Sequence, residues 1–309
     1  VYNVGKIWKG NLNMKLINFM ATDGVNLEGI LYKASFNINE KIILSVHGMT
    51  SNCFKKRDIE IAKKANEKGI DYFAFNNRGS EIVKYIEKET EGQPAKELAG
   101  TAYEDVLEGY EDIVGVIIKL KELGYKNIYL QGHSLGCTKI VYTYNELINN
   151  DETEILENIK GVILLSLVDI PMALKVYLRD NFKQYFDYAE KLEHENKIYE
   201  MMPRESFIHP ISVKSFLRYA RDNKDIDFAN YGKDNELEKL NNIQVPLFMR
   251  WGNDNEMIIQ QADELSTMVN NIITNENKNI DYIDGANHSY TGKEKELAEQ
   301  IVEFVLMQK

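Results

Sequence analysis

The sequence predicts an α/β protein: a mostly parallel central sheet, helices on both of its faces, and a helical segment inserted late in the chain. Three observations predict it. Short, continuously apolar runs such as Lys41-Ile-Ile-Leu-Ser-Val46 alternate with longer stretches whose apolar residues recur at helical spacing. Runs apolar throughout belong in a parallel sheet covered on both faces. One such run, Ile128-Tyr129-Leu130-Gln131, passes through Gly132-x-Ser134-x-Gly136 directly into a helical pattern. The alternation then stops over residues 168–240 and resumes after them.

In chain order, residues 15–22 and 25–32 alternate around Asp23-Gly24, a strong hairpin signal. Strand 41–46 ends in His47-Gly48-Met49-Thr50. Residues 58–68 form an amphipathic helix with Ile61, Ala62 and Ala65 inward, stopped by Gly69. Strand 71–75 runs into Asn76-Asn77-Arg78-Gly79-Ser80. Residues 81–99 are polar, include Pro94, and read as a loop or small excursion. Residues 102–123 read as a helix with Val106, Tyr110, Ile113, Ile117 and Leu120 on one face, ended by Gly124. The elbow strand and its helix come next, then strand 161–165. Residues 168–240 hold helical stretches rich in aromatics, from Tyr177 to Tyr219. They read as a cap, with most aromatics packing the cap and a few walling a pocket. Strands 245–250 and 279–283 and helices 260–269 and 293–307 complete the core. The expected division is a core of 14–167 and 241–309 with a cap of 168–240.

The 309 residues suffice for one large α/β domain with an insertion. Hydrophobic residues make up 44% and charged residues 28%, as in ordinary globular proteins. A net charge of −11 argues against a nucleic-acid-binding face, which needs clustered Lys and Arg. No apolar run approaches the ~20 residues of a membrane span. Residues 1–13 lack the features of a signal peptide. Met14-Lys15 resembles a natural start, so residues 1–13 are expected to be foreign to the native chain. Two cysteines, Cys53 and Cys137, suggest a reducing, cytoplasmic setting without disulfides. A metal site would need a tighter cluster than these two and five scattered histidines.

Gly132-x-Ser134-x-Gly136 matches a nucleophile elbow. A serine at the apex of a strand-to-helix turn is held in an unfavourable backbone conformation, and its neighbours two residues away must be small. The hydroxyl then stands in the open, and the N–H of Leu135 faces whatever it attacks. The loop His47-Gly48-Met49 is where a second oxyanion donor, the N–H of Met49, is expected. His47 reads as a brace for that loop and not as a proton carrier. A serine hydroxyl needs a base. His288, on the Gly-containing loop after the last strand, is the candidate. His133 adjoins the serine but points elsewhere, and His194 and His209 fall in the inserted segment and read as surface residues. The base needs a carboxylate to orient it. The loop Trp251-Gly-Asn-Asp-Asn-Glu-Met257 offers Asp254, the first carboxylate able to face back over the strand ends, and Glu256, with longer reach. Asp254 is preferred; Glu256 stays in play, as do Asn255 and Asp169.

In these features the chain resembles the α/β-hydrolases: Ser134, the acid and His288 fall in that family's order. The resemblance covers 15–309 apart from the inserted segment, and rests on His47-Gly48, the elbow and the late Gly285-x-x-His288. That family's common Gly-x-x-Asp spacing would put the acid at position 255, where this chain has Asn. Asn77-Arg78-Gly79, Gly100-Thr-Ala-Tyr-Glu104, Asp112-Ile113 and Thr138-Lys139 are also similar to a bacterial and fungal hydrolase group long catalogued as of unknown function. The resemblance implies two-step acyl transfer on a small-molecule ester, with no metal or organic cofactor. A thioesterase, amidase, peptidase or acyltransferase shares the same elbow, and a hydrolase fold kept as a ligand-binding module is the alternative from another class.

Overall fold

The computed structural model describes residues 12–37, 40–90, 92–221, 224–229, 237–258 and 260–308. Most of residues 1–13, expected to be foreign to the native chain, lie outside the described residues, as do 222–223 and 230–236 of the inserted segment.

The Asp23-Gly24 turn joins β1 (Asn13–Met20) to β2 (Asn26–Lys33), which pair antiparallel with Leu16 opposite Ile30. Then follow β3 (Lys41–Val46), α1 (Lys56–Glu67) and β4 (Asp71–Asn76). Every residue of β3 is buried, as its unbroken apolar run requires. After β5 (Lys84–Thr90) and β6 (Gln93–Ala99) come α2 (Gly109–Glu122), β7 (Asn127–His133), α3 (Leu135–Asn149), α4 (Thr153–Leu156) and β8 (Ile159–Leu165). The inserted segment contributes α5 (Ile170–Leu178), α6 (Phe182–His194), α7 (Val213–Ala220) and α8 (Glu238–Asn241). The chain closes with β9 (Leu247–Gly252), α9 (Ala262–Ile272), β10 (Lys278–Ile283) and α10 (Glu294–Met307).

Eight strands form one sheet in the order β1-β2-β4-β3-β7-β8-β9-β10. The pairs β1–β2 and β2–β4 are antiparallel and the others parallel. On one face α1 and α10 cover Ile43, Tyr72 and Phe248 with Ile61, Leu297 and Ile301. On the other, α2, α3 and α9 cover Leu44, Leu130 and Met249 with Ile117, Ile140 and Leu265. A third apolar cluster belongs to α5, α6 and α7, where Leu174 and Phe216 pack with Phe207 and with Leu135 beside the elbow, whereas Leu240 of α8 joins the cluster of α2, α3 and α9.

Two stretches differ from their sequence reading. Within residues 81–99, β5 and β6 pair antiparallel, with Ile86 opposite Glu97. Their side chains are mostly exposed on both faces, so the apolar alternation that marks a half-buried strand is missing. The hairpin is anchored by a bridge from Lys88 to Val25, beside the β1–β2 turn. The helix read from 102 starts later, with a single 3₁₀ turn at Val106–Glu108 ahead of α2. The carbonyls of Ala102 and Glu104 are taken by Ser212 N–H at 2.8 Å and the Ser215 hydroxyl at 2.7 Å, so they are not free for helix bonds.

The elbow lies where β3 and α3 nearly touch. A Cβ at Gly136 would stand 2.1 Å from the carbonyl oxygen of Val46. Backbone must move to admit it, so Gly136→Ala should lower stability by about 1–3 kcal/mol in urea unfolding. A variant within about 0.5 kcal/mol of wild type would show that the elbow does not depend on this contact.

Candidate active site

The candidate side chains stand at the carboxyl ends of the parallel strands. Ser134 follows β7 with φ 54° and ψ −125°, a left-handed conformation that costs a non-glycine residue on the order of 1–3 kcal/mol. Its N–H is held by the carbonyl of Leu165 at 2.9 Å, which fixes the apex to the end of β8. Leu135 opens α3. A Cβ on Gly48 would meet Ser134 Cβ at 2.9 Å and the Leu135 nitrogen at 3.3 Å. Only glycine lets the His47-Gly48-Met49 loop come this close, and Met49 reaches the same cavity as Ser134 and Leu135.

His288 lies on the loop after β10, and its Nδ1 meets Oε1 of Glu256. Glu256 Oε2 accepts the Gly252 N–H at 2.9 Å and the Ser166 hydroxyl at 2.7 Å. The Glu256 side chain is 2% exposed and that of His288 18%. Burial pushes the Glu256 carboxyl up. The His288 hydrogen bond and charge, the Gly252 N–H and the Ser166 hydroxyl outweigh it, and the net shift is below the ordinary 4.5.

This geometry corrects the preference for Asp254. Asp254 is exposed, and its N–H donates to the Ala286 carbonyl at 2.9 Å. Asn255 follows at φ 51°, turning the chain so that Glu256 folds back onto the N–H of Gly252 and against His288. The fallback candidate Asp169 caps α5 through the N–H of Met172 at 3.0 Å.

The other histidines separate by their partners. His47 donates from Nδ1 to the Gly48 carbonyl at 2.8 Å and accepts the Asn77 N–H at Nε2, 3.2 Å. Burial and then the Lys139 charge push its pKa down to about 3, so it is a neutral brace, as its position suggested. His133 donates from Nε2 to the His288 carbonyl at 2.7 Å, and burial keeps it neutral too. His209, read from sequence as a surface residue, lines the cavity.

The remaining motif residues form a buried brace behind the Gly48 loop. Lys139 on α3 reaches Glu104 at 2.6 Å and Asn77 at 3.2 Å, and Asn77 donates to the His47 carbonyl at 3.2 Å. Both charged side chains are 1% exposed. Thr101 accepts the Thr50 N–H at 2.7 Å and donates to the Gly79 carbonyl at 2.9 Å. Arg78 joins Asp112 at 2.8 Å and Asp23 at 2.9 Å.

Sequence reasoning missed Ser166, Tyr290 and Arg57. Ser166 follows β8 at φ 52°, and its Oγ lies 3.0 Å from the Tyr290 hydroxyl, which donates to the Arg250 carbonyl at 2.8 Å. A polar residue just past the carboxyl end of a buried parallel strand was the available signal. Ser134, Leu135, Met49 and His288 all line one cavity of about 620 Å³. Residues of the inserted segment, among them Ile170, Leu174, Tyr177 and Phe207, form its apolar wall. Among the described residues no group of three or more His, Cys, Asp or Glu could hold a metal ion. No helix among them is long and apolar enough to cross a membrane.

Sheet order, covering helices and elbow together are those of the α/β-hydrolase fold. The model of a family described as "Protein of unknown function (DUF1749)" matches residues 105–308, and the chain belongs to that family. No curated protein matches the sequence. Among solved structures, Est1E from Butyrivibrio proteoclasticus with bound ferulic acid is 18% identical, with a TM-score of 0.64 over 94% of this chain and 98% of that one. The α/β hydrolase GrgF from Penicillium sp. sh18 is 15% identical, with a TM-score of 0.66 over 96% and 99%. A thermostable carboxyl esterase from Bacillus coagulans in complex with glycerol is 14% identical, with a TM-score of 0.64 over 96% and 99%. At these identities the likeness is one of fold.

The depressed Glu256 pKa sets a pH dependence. A carboxyl lowered on folding adds stability above its unfolded pKa and loses that stability as pH falls through the folded value. The stability of wild type relative to Glu256→Gln should therefore fall as pH drops from about 6 to about 3. Urea unfolding at each pH measures it. A gap that stays flat or widens would mean the folded-state carboxyl is not held charged.

Proposed function

We propose that this chain is a serine hydrolase that cleaves carboxylic esters through an acyl-enzyme on Ser134. His288 takes the proton from the Ser134 hydroxyl as its oxygen attacks the ester carbonyl. The N–H groups of Met49 and Leu135 hold the oxyanion, each such donor being worth about 3–4 kcal/mol. His288 then protonates the leaving alcohol and activates the water that releases the acid. Glu256 keeps the His288 ring in the tautomer with Nδ1 protonated and balances the charge it acquires.

The observation that carries this reading is the buried Glu256 carboxylate on Nδ1 of His288, which lines one cavity with Ser134 at φ 54°. A left-handed serine is costly, and such strain concentrates where it serves chemistry. One fold neighbour, the Bacillus coagulans protein, is a carboxyl esterase, in keeping with this reading. Ile170, Leu174, Tyr177 and Phe207 of the inserted segment cap the site, and their apolar side chains receive part of a small-molecule substrate.

Ser134→Ala should fold normally, because a smaller side chain lies at the strained turn. It should lose covalent labelling by a fluorophosphonate probe and turnover of a short 4-nitrophenyl ester, down to the residue left by the oxyanion hole. Mass mapping of the labelled peptide checks the first point. Labelling that persists in the variant would place the nucleophile elsewhere.

A further inference from the structure

Arg57 has no part in the mechanism above, yet it lines the same cavity together with Lys55 and Lys56. Among the described lining residues these three cations face one carboxylate, Glu294, which pairs with Lys56 at 2.9 Å. Arg57 also pairs with buried Asp58, so Lys55 is the cation of the three whose charge no ion pair among the described residues offsets, on a chain that carries −11 overall.

Arg57 is only 4% exposed. Its Nη2 donates to Asp58 at 3.1 Å, but its buried Nε has no acceptor. Asp58 is itself shared, since its other oxygen accepts the hydroxyls of Ser45 at 2.9 Å and Tyr72 at 2.7 Å. A guanidinium that lines a cavity with one nitrogen bonded to a carboxylate has other N–H groups left for an oxyanion. The same residues open α1, a helix of 12 residues with no side-chain cap at Lys55. Its first N–H groups and its dipole add to the attraction for an anion. The inserted segment supplies a different wall: Val168, Ile170, Leu174, Tyr177 and Phe207 offer no charge to a ligand.

We infer that the substrate is an amphiphilic ester. Its apolar group lies against the inserted helices, and a carboxylate or phosphate elsewhere on the molecule is held by Arg57, Lys55 and the start of α1. This rests on the esterase reading of the same site.

The test uses two matched pairs of esters. 4-Nitrophenyl valerate and mono-4-nitrophenyl glutarate differ by a terminal carboxylate. 1-Monobutyrin and 1-butyrylglycerol 3-phosphate differ by a phosphate. In at least one pair kcat/KM should favour the anionic member by about tenfold at low salt, the scale of one charge-assisted contact. That ratio should shrink as salt is raised. It should fall about threefold in Lys55→Gln, an exposed site where folding is not at risk, and further in Arg57→Gln. A preference in the first pair alone names a carboxylate, and in the second alone a phosphate. Neutral esters cleaved as well as their anionic partners would overturn the oxyanion site and leave the esterase reading standing. A preference untouched by both substitutions would overturn it as well. Turnover of none of the four also overturns it, and fluorophosphonate labelling of Ser134 then decides whether the esterase reading survives.

Discussion

The carboxylate of Glu256 sits where the ends of β8, β9 and β10 come together. It takes a hydroxyl from Ser166 after β8, an N–H from Gly252 at the end of β9 and the imidazole of His288 after β10. A carboxylate taken from water without such partners would cost far more than a folded domain can spare. Here the partners come from three strand ends, and their arrangement fixes the loop carrying His288. Gly252 serves the same junction a second way. A Cβ there would lie 2.1 Å from the Ala286 carbonyl, so only glycine lets the His288 loop close over β9.

A second set of buried charges lies behind the Gly48 loop. Lys139 and Glu104 form a pair sealed from solvent, and Asn77 links it to the His47 carbonyl. Breaking such a pair from one side typically costs about 3–5 kcal/mol, because the other charge is left buried. Lys139 lies on the helix that begins at the elbow, so one network sets the elbow helix and the Gly48 loop relative to each other. His288 and the elbow thus each rest on a buried network, and the proposed oxyanion donors belong to the loop and helix that the second one joins.

The sequence reveals what periodicity encodes. Buried strands such as Lys41–Val46 announce themselves as unbroken apolar runs, and the elbow and His288 follow from the strands they terminate. The orienting carboxylate is not legible in this way. Asp254, Asn255 and Glu256 are consecutive, and the choice among them is made by a backbone turn: the left-handed conformation of Asn255. Nothing in composition or spacing specifies that turn, and Asn tolerates it without requiring it. Likewise β5 and β6 pair with most side chains in water, so no alternation reveals them. Arg57 is hidden for a related reason, since a Lys-Lys-Arg run at a helix start reads as a solvated surface until the fold buries its last member.

The central claim is that Glu256 supports His288 in a charge arrangement used by Ser134. Separate Asp254→Asn and Glu256→Gln enzymes, assayed for kcat on one activated ester, test it most directly. Loss of an orienting carboxylate to its amide can cost on the order of 10⁴ in kcat. A fall of that order is expected for Glu256→Gln and a rate within a few-fold of wild type for Asp254→Asn. The reverse ranking, or two enzymes of near-wild-type rate, would contradict it.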